Sequence, residues 1–139
     1  MDLNIEQLIN ILLHKSELLE EEIKQKSDLK NLTSKQLYCL ELIYEMNNPA
    51  LSELATGLSI TKPSVSVMID RLEDKKYIYK VKSDKDRRSA HVHLTKNGLE
   101  AAKLHTEVHN TFAKSLTKDL TDSEQSILKV LLNKAIRSV

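Results

Sequence analysis

Glycine and proline are scarce, two of each in 139 residues, which is too little turn-forming material for an all-β chain with many reversals. Cysteine is scarcer still. Cys39 stands alone, so an intrachain disulfide framework and a four-cysteine zinc site are both excluded and a reducing compartment is expected. No apolar run reaches membrane-spanning length, and the opening Met1-Asp2-Leu3-Asn4 is acidic with no basic n-region; neither export nor membrane anchoring is expected, and the chain is expected in the cytoplasm. Charge of one sign is also missing in bulk, with 21 Lys and Arg against 20 Asp and Glu. What is present is a 40% hydrophobic, 29% charged chain of one ordinary domain's length, able to bury one core and expected to be mainly helical.

The distribution of charge says more than its sum. Lys75, Lys76, Lys80, Lys82, Lys85, Arg87 and Arg88 face only Asp84 and Asp86 over that stretch, whereas Glu17, Glu20, Glu21 and Glu22 have no Lys or Arg among them. An isolated charge run is most often a solvated surface, so the local structure has to decide.

Apolar periodicity supplies that structure. Ile5, Leu8, Leu12, Leu19 and Ile23 form one helical stripe, which Ile9, Leu13 and Leu18 widen, so a first helix burying two sides is expected. Ser27 to Asn31 breaks the pattern. Thr33 or Ser34 then caps a helix through Leu37, Leu40, Ile43 and Tyr44, and Asn47-Asn48-Pro49 ends it because proline cannot continue the backbone ladder. Leu51, Leu54, Ala55 and Leu58 follow as a short apolar face with Ser52 as its expected cap, and Gly57 to Ser59 permits a turn. Thr61 caps the next helix, which has Pro63 in its first turn and Val65, Met68, Ile69 and Leu72 as its buried stripe. Two short helices across a tight turn are helix-turn-helix grammar.

The outward residues of that second helix are Lys62, Pro63, Ser64, Ser66, Val67 and Arg71. Short or hydrogen-bonding side chains at the front of a helix suit approach to base edges in the major groove; an ordinary amphipathic surface helix is the plainer reading. Tyr77 to Val81 and Ala90 to Leu94 alternate as two strands. The polar loop Lys82 to Ser89 between them makes a basic-tipped wing, which could carry an arginine into the neighbouring minor groove.

These stretches resemble the MarR family of winged-helix repressors. The resemblance lies in Leu51-Ser52-Glu53-Leu54-Ala55, Ile60-Thr61-Lys62-Pro63-Ser64-Val65-Ser66 and Ile69-Asp70-Arg71-Leu72-Glu73-Asp74-Lys75-Lys76-Tyr77-Ile78. It continues in Asp84-Lys85-Asp86-Arg87-Arg88-Ser89 and Val92-His93-Leu94-Thr95-Lys96-Asn97-Gly98. It implies a single MarR-like domain over residues 1–139, mainly α with a small β-hairpin wing: a winged helix-turn-helix core over 32–98, flanked by dimerisation helices in 1–31 and 99–139. It also implies a homodimer on double-stranded DNA, Arg88 at the wing tip, Asp86 bracing that arginine and Arg87 on phosphate. Lys82 joins this set at the base of the loop. Two recognition helices in such a dimer stand roughly 34 Å apart, so the operator should be a pseudo-palindrome. The short start and the histidines around the wing and the following helix are similar to the family's repressors of fatty-acid synthesis genes, which implies an acylated carrier protein, an acyl chain or another small molecule as effector.

The C-terminal pattern agrees with dimerisation. Thr95 caps a helix with Leu99, Ala102, Val108, Phe112 and Leu116 on one face; Thr121 or Asp122 starts another with Ile127, Leu128, Val130, Leu131, Leu132 and Ile136, too apolar to coat a monomer. His105 and His109, spaced i, i+4, could chelate a divalent metal if a carboxylate from the first helix or Glu100 joined them, as in metal-responsive members of the family; without it they are ordinary histidines on a polar face, and no cofactor is expected. His91 and His93 share a strand face and either touch phosphate or pack at the wing base. Cys39 reads as buried filler, with no base or helix N-terminus beside it. No nucleophile comes with the turn chemistry of a hydrolase or transferase, so an enzyme is not expected. A helical adaptor that binds only protein is the alternative from another class, and it leaves the basic hairpin without a purpose.

Overall fold

The computed structural model describes residues 2–82 and 90–139. In chain order the elements are α1 (Ile5–Lys26), a 3₁₀ turn (Asp28–Asn31), α2 (Ser34–Met46), α3 (Leu51–Leu58), α4 (Lys62–Asp74), β1 (Ile78–Lys82), β2 (Ala90–Leu94), α5 (Lys96–Thr117) and α6 (Asp122–Ile136). Two compact units divide the chain, residues 1–108 and 109–139. Among the described residues no helix is long and apolar enough to cross a membrane.

Helix starts follow local capping chemistry. Asn4, Thr33 and Thr121 each accept a hydrogen bond from a backbone N–H of the first turn, and each donates its own N–H to Oε1 of Gln7, Gln36 or Glu124, satisfying two otherwise orphaned donors per helix. α3 departs from the sequence expectation. Its cap position is Ala50, whose N–H donates to Glu53 Oε1 at 3.0 Å, while Ser52 lies inside the helix. The carboxylate three residues on satisfies the cap's own N–H, the return half of a capping box, and no side chain of residue 50 accepts from the first turn.

Helix ends use residues that tolerate a left-handed backbone. Asn47 and Asn48 sit at φ 57° and 61°, a region asparagine enters more readily than most residues. After α3 the left-handed residue is Ser59, at φ 55°; Gly57, expected from the sequence to help make this turn, belongs to the helix.

The core of the first unit draws on Leu37, Leu40 and Ile43 from α2, Leu54 from α3, Val65, Ile69 and Leu72 from α4, Ile78 from β1, Val92 from β2, and Ala101 and Ala102 from α5. Each large side chain removed from water in this way contributes roughly 1.5–3 kcal/mol before entropy is counted. The hairpin is antiparallel, in register from Ile78 opposite Leu94 to Lys82 opposite Ala90, and β1 begins at Ile78, one residue later than alternation suggested. Ala50 bridges to His91, and Val92 N–H donates to Pro49 O at 2.9 Å, so the segment between α2 and α3 holds the loop-side half of β2.

α1 holds no buried residue, where the width of its stripe led us to expect two buried sides. In the second unit α6 likewise buries none.

Candidate nucleic-acid interface

α3 and α4 are joined by a turn closed twice at α3's end: Ser59 N–H donates to Thr56 O at 3.2 Å and Ile60 N–H to Ala55 O at 3.1 Å. This paired pattern satisfies the last carbonyls of a helix and fixes the exit direction of the chain. Thr61 then caps α4, accepting from Ser64 N–H at 3.3 Å and donating to Ser64 Oγ at 2.9 Å. Pro63 occupies the first turn, where its missing N–H leaves no bond unmade.

Val65, Ile69 and Leu72 bury one side of α4 completely. The opposite side then carries Pro63, Val67, Asp70, Arg71 and Asp74 by helical spacing. Lys62, Pro63, Ser64, Val67 and Arg71 are exposed, and Ser66 is partly buried on the flank. The helix is 13 residues, about 20 Å long, so its front half presents lysine, proline, serines and valine, and its rear half a mixture of acids and Arg71. Lys82 is exposed at the end of β1. The expected wing-tip residues Asp86, Arg87 and Arg88 lie outside the described residues.

The far end of α4 is tied down by contacts that sequence reading missed. Lys75, counted with the basic stretch, donates to Asn31 O at 2.5 Å and lies 3.5 Å from Gln36 Oε1; its charge caps the carbonyl end of the 3₁₀ turn. Lys76 turns left-handed at φ 65°. Thr95 Oγ1 donates to Lys76 O at 2.7 Å and accepts from Gly98 N–H at 3.1 Å, so one hydroxyl both caps α5 and holds the exit of α4. Lys80 Nζ donates to Asp70 Oδ1 at 2.5 Å and lies 3.8 Å from Glu73 Oε1. The hydrogen bond to Asp70 is the main cause of a raised Lys80 pKa.

The histidines fall in different surroundings. His91 Nδ1 is 3.2 Å from Asn48 O, near the loop end of β2 and not at the wing base, and the His93 ring lies 5.2 Å from that of Tyr79. His105 and His109 are one turn apart on α5; His105 is buried and His109 exposed. Nδ1 of His105 faces Glu41 and Nε2 faces Glu20, so each ring nitrogen meets a carboxylate oxygen. The sequence offered a carboxylate from the first helix as one possibility; Glu41, from α2, had no local signal. Cys39 is fully buried, and burial pushes its thiol up to about 12, far from the activated thiol of a redox sensor.

A turn-linked helix pair with a polar-fronted second helix, followed directly by an antiparallel hairpin, defines a winged helix-turn-helix protein. Residues 32–90 match the MarR family model. Over that stretch, which holds the helix-turn-helix and the first strand of the hairpin, the chain is similar to the MarR family. It is 31% identical over 96 residues to the uncharacterized HTH-type transcriptional regulator YkoM of Bacillus subtilis, covering 69% of this chain and 62% of that protein; the match thus spans less than two thirds of the relative's length. Its fold is that of the crystal structure of Streptococcus pneumoniae FabT in complex with DNA, at a TM-score of 0.88 and 24% identity over 96% of this chain and 93% of the other. The apo form of wild-type MarR from E. coli matches at a TM-score of 0.68 and 27% identity, over 97% of this chain and 98% of that one. The curated relatives that it matches are HTH-type transcriptional regulators.

Proposed function

We propose that this chain is a sequence-specific regulator of transcription that binds double-stranded DNA as a homodimer and represses from a pseudo-palindromic operator. The observation that carries the reading is the exposed front of α4, where Lys62, Pro63, Ser64 and Val67 project from a helix whose other side is locked into the core. A rigidly seated helix with short polar side chains at its N-terminal end can enter the major groove and bring hydrogen-bonding groups to base edges. In this reading Ser64, Ser66, Val67 and Arg71 face the groove, Lys62 and Lys82 approach phosphate, and Asp86, Arg87 and Arg88 form the wing tip, with Arg88 in the minor groove. That FabT, of the same fold, was crystallised with DNA supports the assignment.

The dimer is supported by apolar surface. α1 exposes Ile5, Leu8, Ile9, Leu13 and Leu18, and α6 exposes Ile127, Val130, Leu131, Leu132 and Ile136. Such rows cluster where a second copy covers them by twofold symmetry. A DNA partner supports a cytoplasmic location. The resemblance to repressors of fatty-acid synthesis genes makes an acyl chain or acylated carrier protein the first effector class to try.

The test is fluorescence anisotropy of a labelled duplex across a salt series. Log affinity is expected to fall steeply and linearly with log salt, by about 0.9 for each phosphate neutralised, and Arg71→Ala and Arg88→Ala are expected to weaken binding while the protein stays folded and dimeric by light scattering. Salt-insensitive capture of a protein partner with no affinity for DNA would overturn the reading in favour of an adaptor.

A further inference from the structure

We propose that Lys80 is a positioning residue for DNA binding, bracing the β1–β2 hairpin against α4 instead of contacting phosphate. The inference rests on the reading of α4 and the hairpin as the DNA-binding elements. By sequence, Lys80 is one of seven basic residues between Lys75 and Arg88 and counts toward the attraction of DNA. Its placement argues otherwise.

Alternation along β1 puts Ile78 and Lys80 on one face of the strand. Ile78 is 2% exposed, and Val92, directly opposite Lys80 in the ladder, is fully buried. Lys80 therefore leaves the strand on the side that packs on the body of the unit, and its ammonium group ends on α4, at Asp70 and Glu73. Those two acids are i and i+3 and so adjacent on the helix surface; one cation against two carboxylates is held by both. Reaching phosphate would require breaking the 2.5 Å hydrogen bond to Asp70 and leaving both acids facing the DNA without their counter-ion.

The position along the strand gives the contact its use. Tyr79 and Val81, on the other face of the strand, are exposed at 46% and 41%, and Lys80 lies midway between the buried Ile78 and Lys82 at the strand's end. Surface ion pairs add little to folding stability. A pair linking two recognition elements acts on their relative angle, and that angle decides whether the wing and α4 meet adjacent grooves together.

The experiment compares wild type, Lys80→Met, and the exchanged pair Asp70→Lys with Lys80→Asp, which keeps the net charge and restores an opposite-charge contact. Each is titrated with a mixed-sequence duplex of about 30 base pairs, roughly three helical turns, over a salt series. Amide hydrogen exchange of residues 78–82 and 90–94 is followed in the same proteins without DNA. Lys80→Met is expected to weaken binding about fivefold with the salt slope unchanged, and to speed exchange in the hairpin; the exchanged pair returns both toward wild type. A slope reduced by about 0.9 per protomer in Lys80→Met, as for a lost phosphate contact, or an exchanged pair as weak as Lys80→Met, overturns the brace. If wild type fails to bind the duplex, the DNA-binding reading falls by itself and the exchange data decide this one: hairpin exchange unaltered by Lys80→Met overturns it.

Discussion

Nδ1 of His105 lies 2.7 Å from Oε2 of Glu41, joining α5 to α2 across 64 residues of sequence. Nε2 of the same ring lies 3.3 Å from Oε1 of Glu20 on α1, and the Thr106 hydroxyl donates to Oε1 of Glu41 at 3.0 Å. One imidazole thus links three helices around a side chain that is 4% exposed. Replacing it with leucine withdraws the ring from two carboxylates in a site partly closed to water, which is costly where neutral packing of both partners is not. His105→Leu is expected to lower stability by roughly 2–4 kcal/mol in urea denaturation, and His105→Leu with Glu41→Leu to cost clearly less than the two single losses summed. Additive losses would show that the contact does not couple the helices.

The two glycines should respond oppositely to alanine. A Cβ on Gly98 would sit 1.9 Å from the backbone oxygen of Tyr77, and neither backbone can move without disturbing the junction of α4, β1 and α5. Gly98→Ala is expected to destabilise by at least ~2 kcal/mol. At Gly57 the new Cβ meets the Leu42 side-chain tip at 2.8 Å, which can rotate away, while alanine favours the helix by about 0.5–1 kcal/mol. Gly57→Ala should be near neutral or mildly stabilising in the same denaturation assay.

Capping separates residues that look equivalent in sequence. Thr61→Ala removes the hydroxyl that accepts from Ser64 N–H at the start of α4, with an expected loss of about 1 kcal/mol. Ser52→Ala, inside α3, should stay within roughly ±0.5 kcal/mol. Equal thermal shifts for the two variants would contradict the cap assignments.

Cys39 predicts a pH dependence with a definite sign. Its thiol is pushed from an ordinary 9.0 to about 12 by burial, so above pH 9 the unfolded chain loses this proton before the folded one does. The stability held by the protonated thiol is complete below about pH 9 and is lost as pH rises toward 12, at no more than about 1.4 kcal/mol per pH unit. Cys39→Ala should lower stability near neutrality yet flatten this alkaline decline. The native thiol should also resist alkylation at pH 8 until the protein is unfolded.

Features that depend on near neighbours in sequence were readable in advance. Thr33, Thr61, Thr95 and Thr121 act on backbone within three residues, and the stripe of Val65, Ile69 and Leu72 needs only helical spacing to be seen. Ala50 was hidden because alanine carries no capping group, and only Glu53, which accepts from its N–H, marks the helix start. The turn after α3 rests on Ser59 and not on Gly57, since serine tolerates there what glycine more often supplies. Long-range charge was the least legible: Lys75 and Lys80 read as part of a basic run, and only the approach of α4 to the 3₁₀ turn and to β1 gives them surface partners in Asn31 and Asp70. The meeting of Glu20, Glu41 and His105 has no spacing rule at all.

Selection of bound sequences from a pool of random duplex DNA by the purified protein tests the central claim most directly. The account predicts enrichment of a pseudo-palindrome with half-sites one helical turn apart, about 10 base pairs centre to centre, and loss of that enrichment in Arg71→Ala and Arg88→Ala. Recovery of scrambled sequences, with no motif enriched over the starting pool, would contradict it.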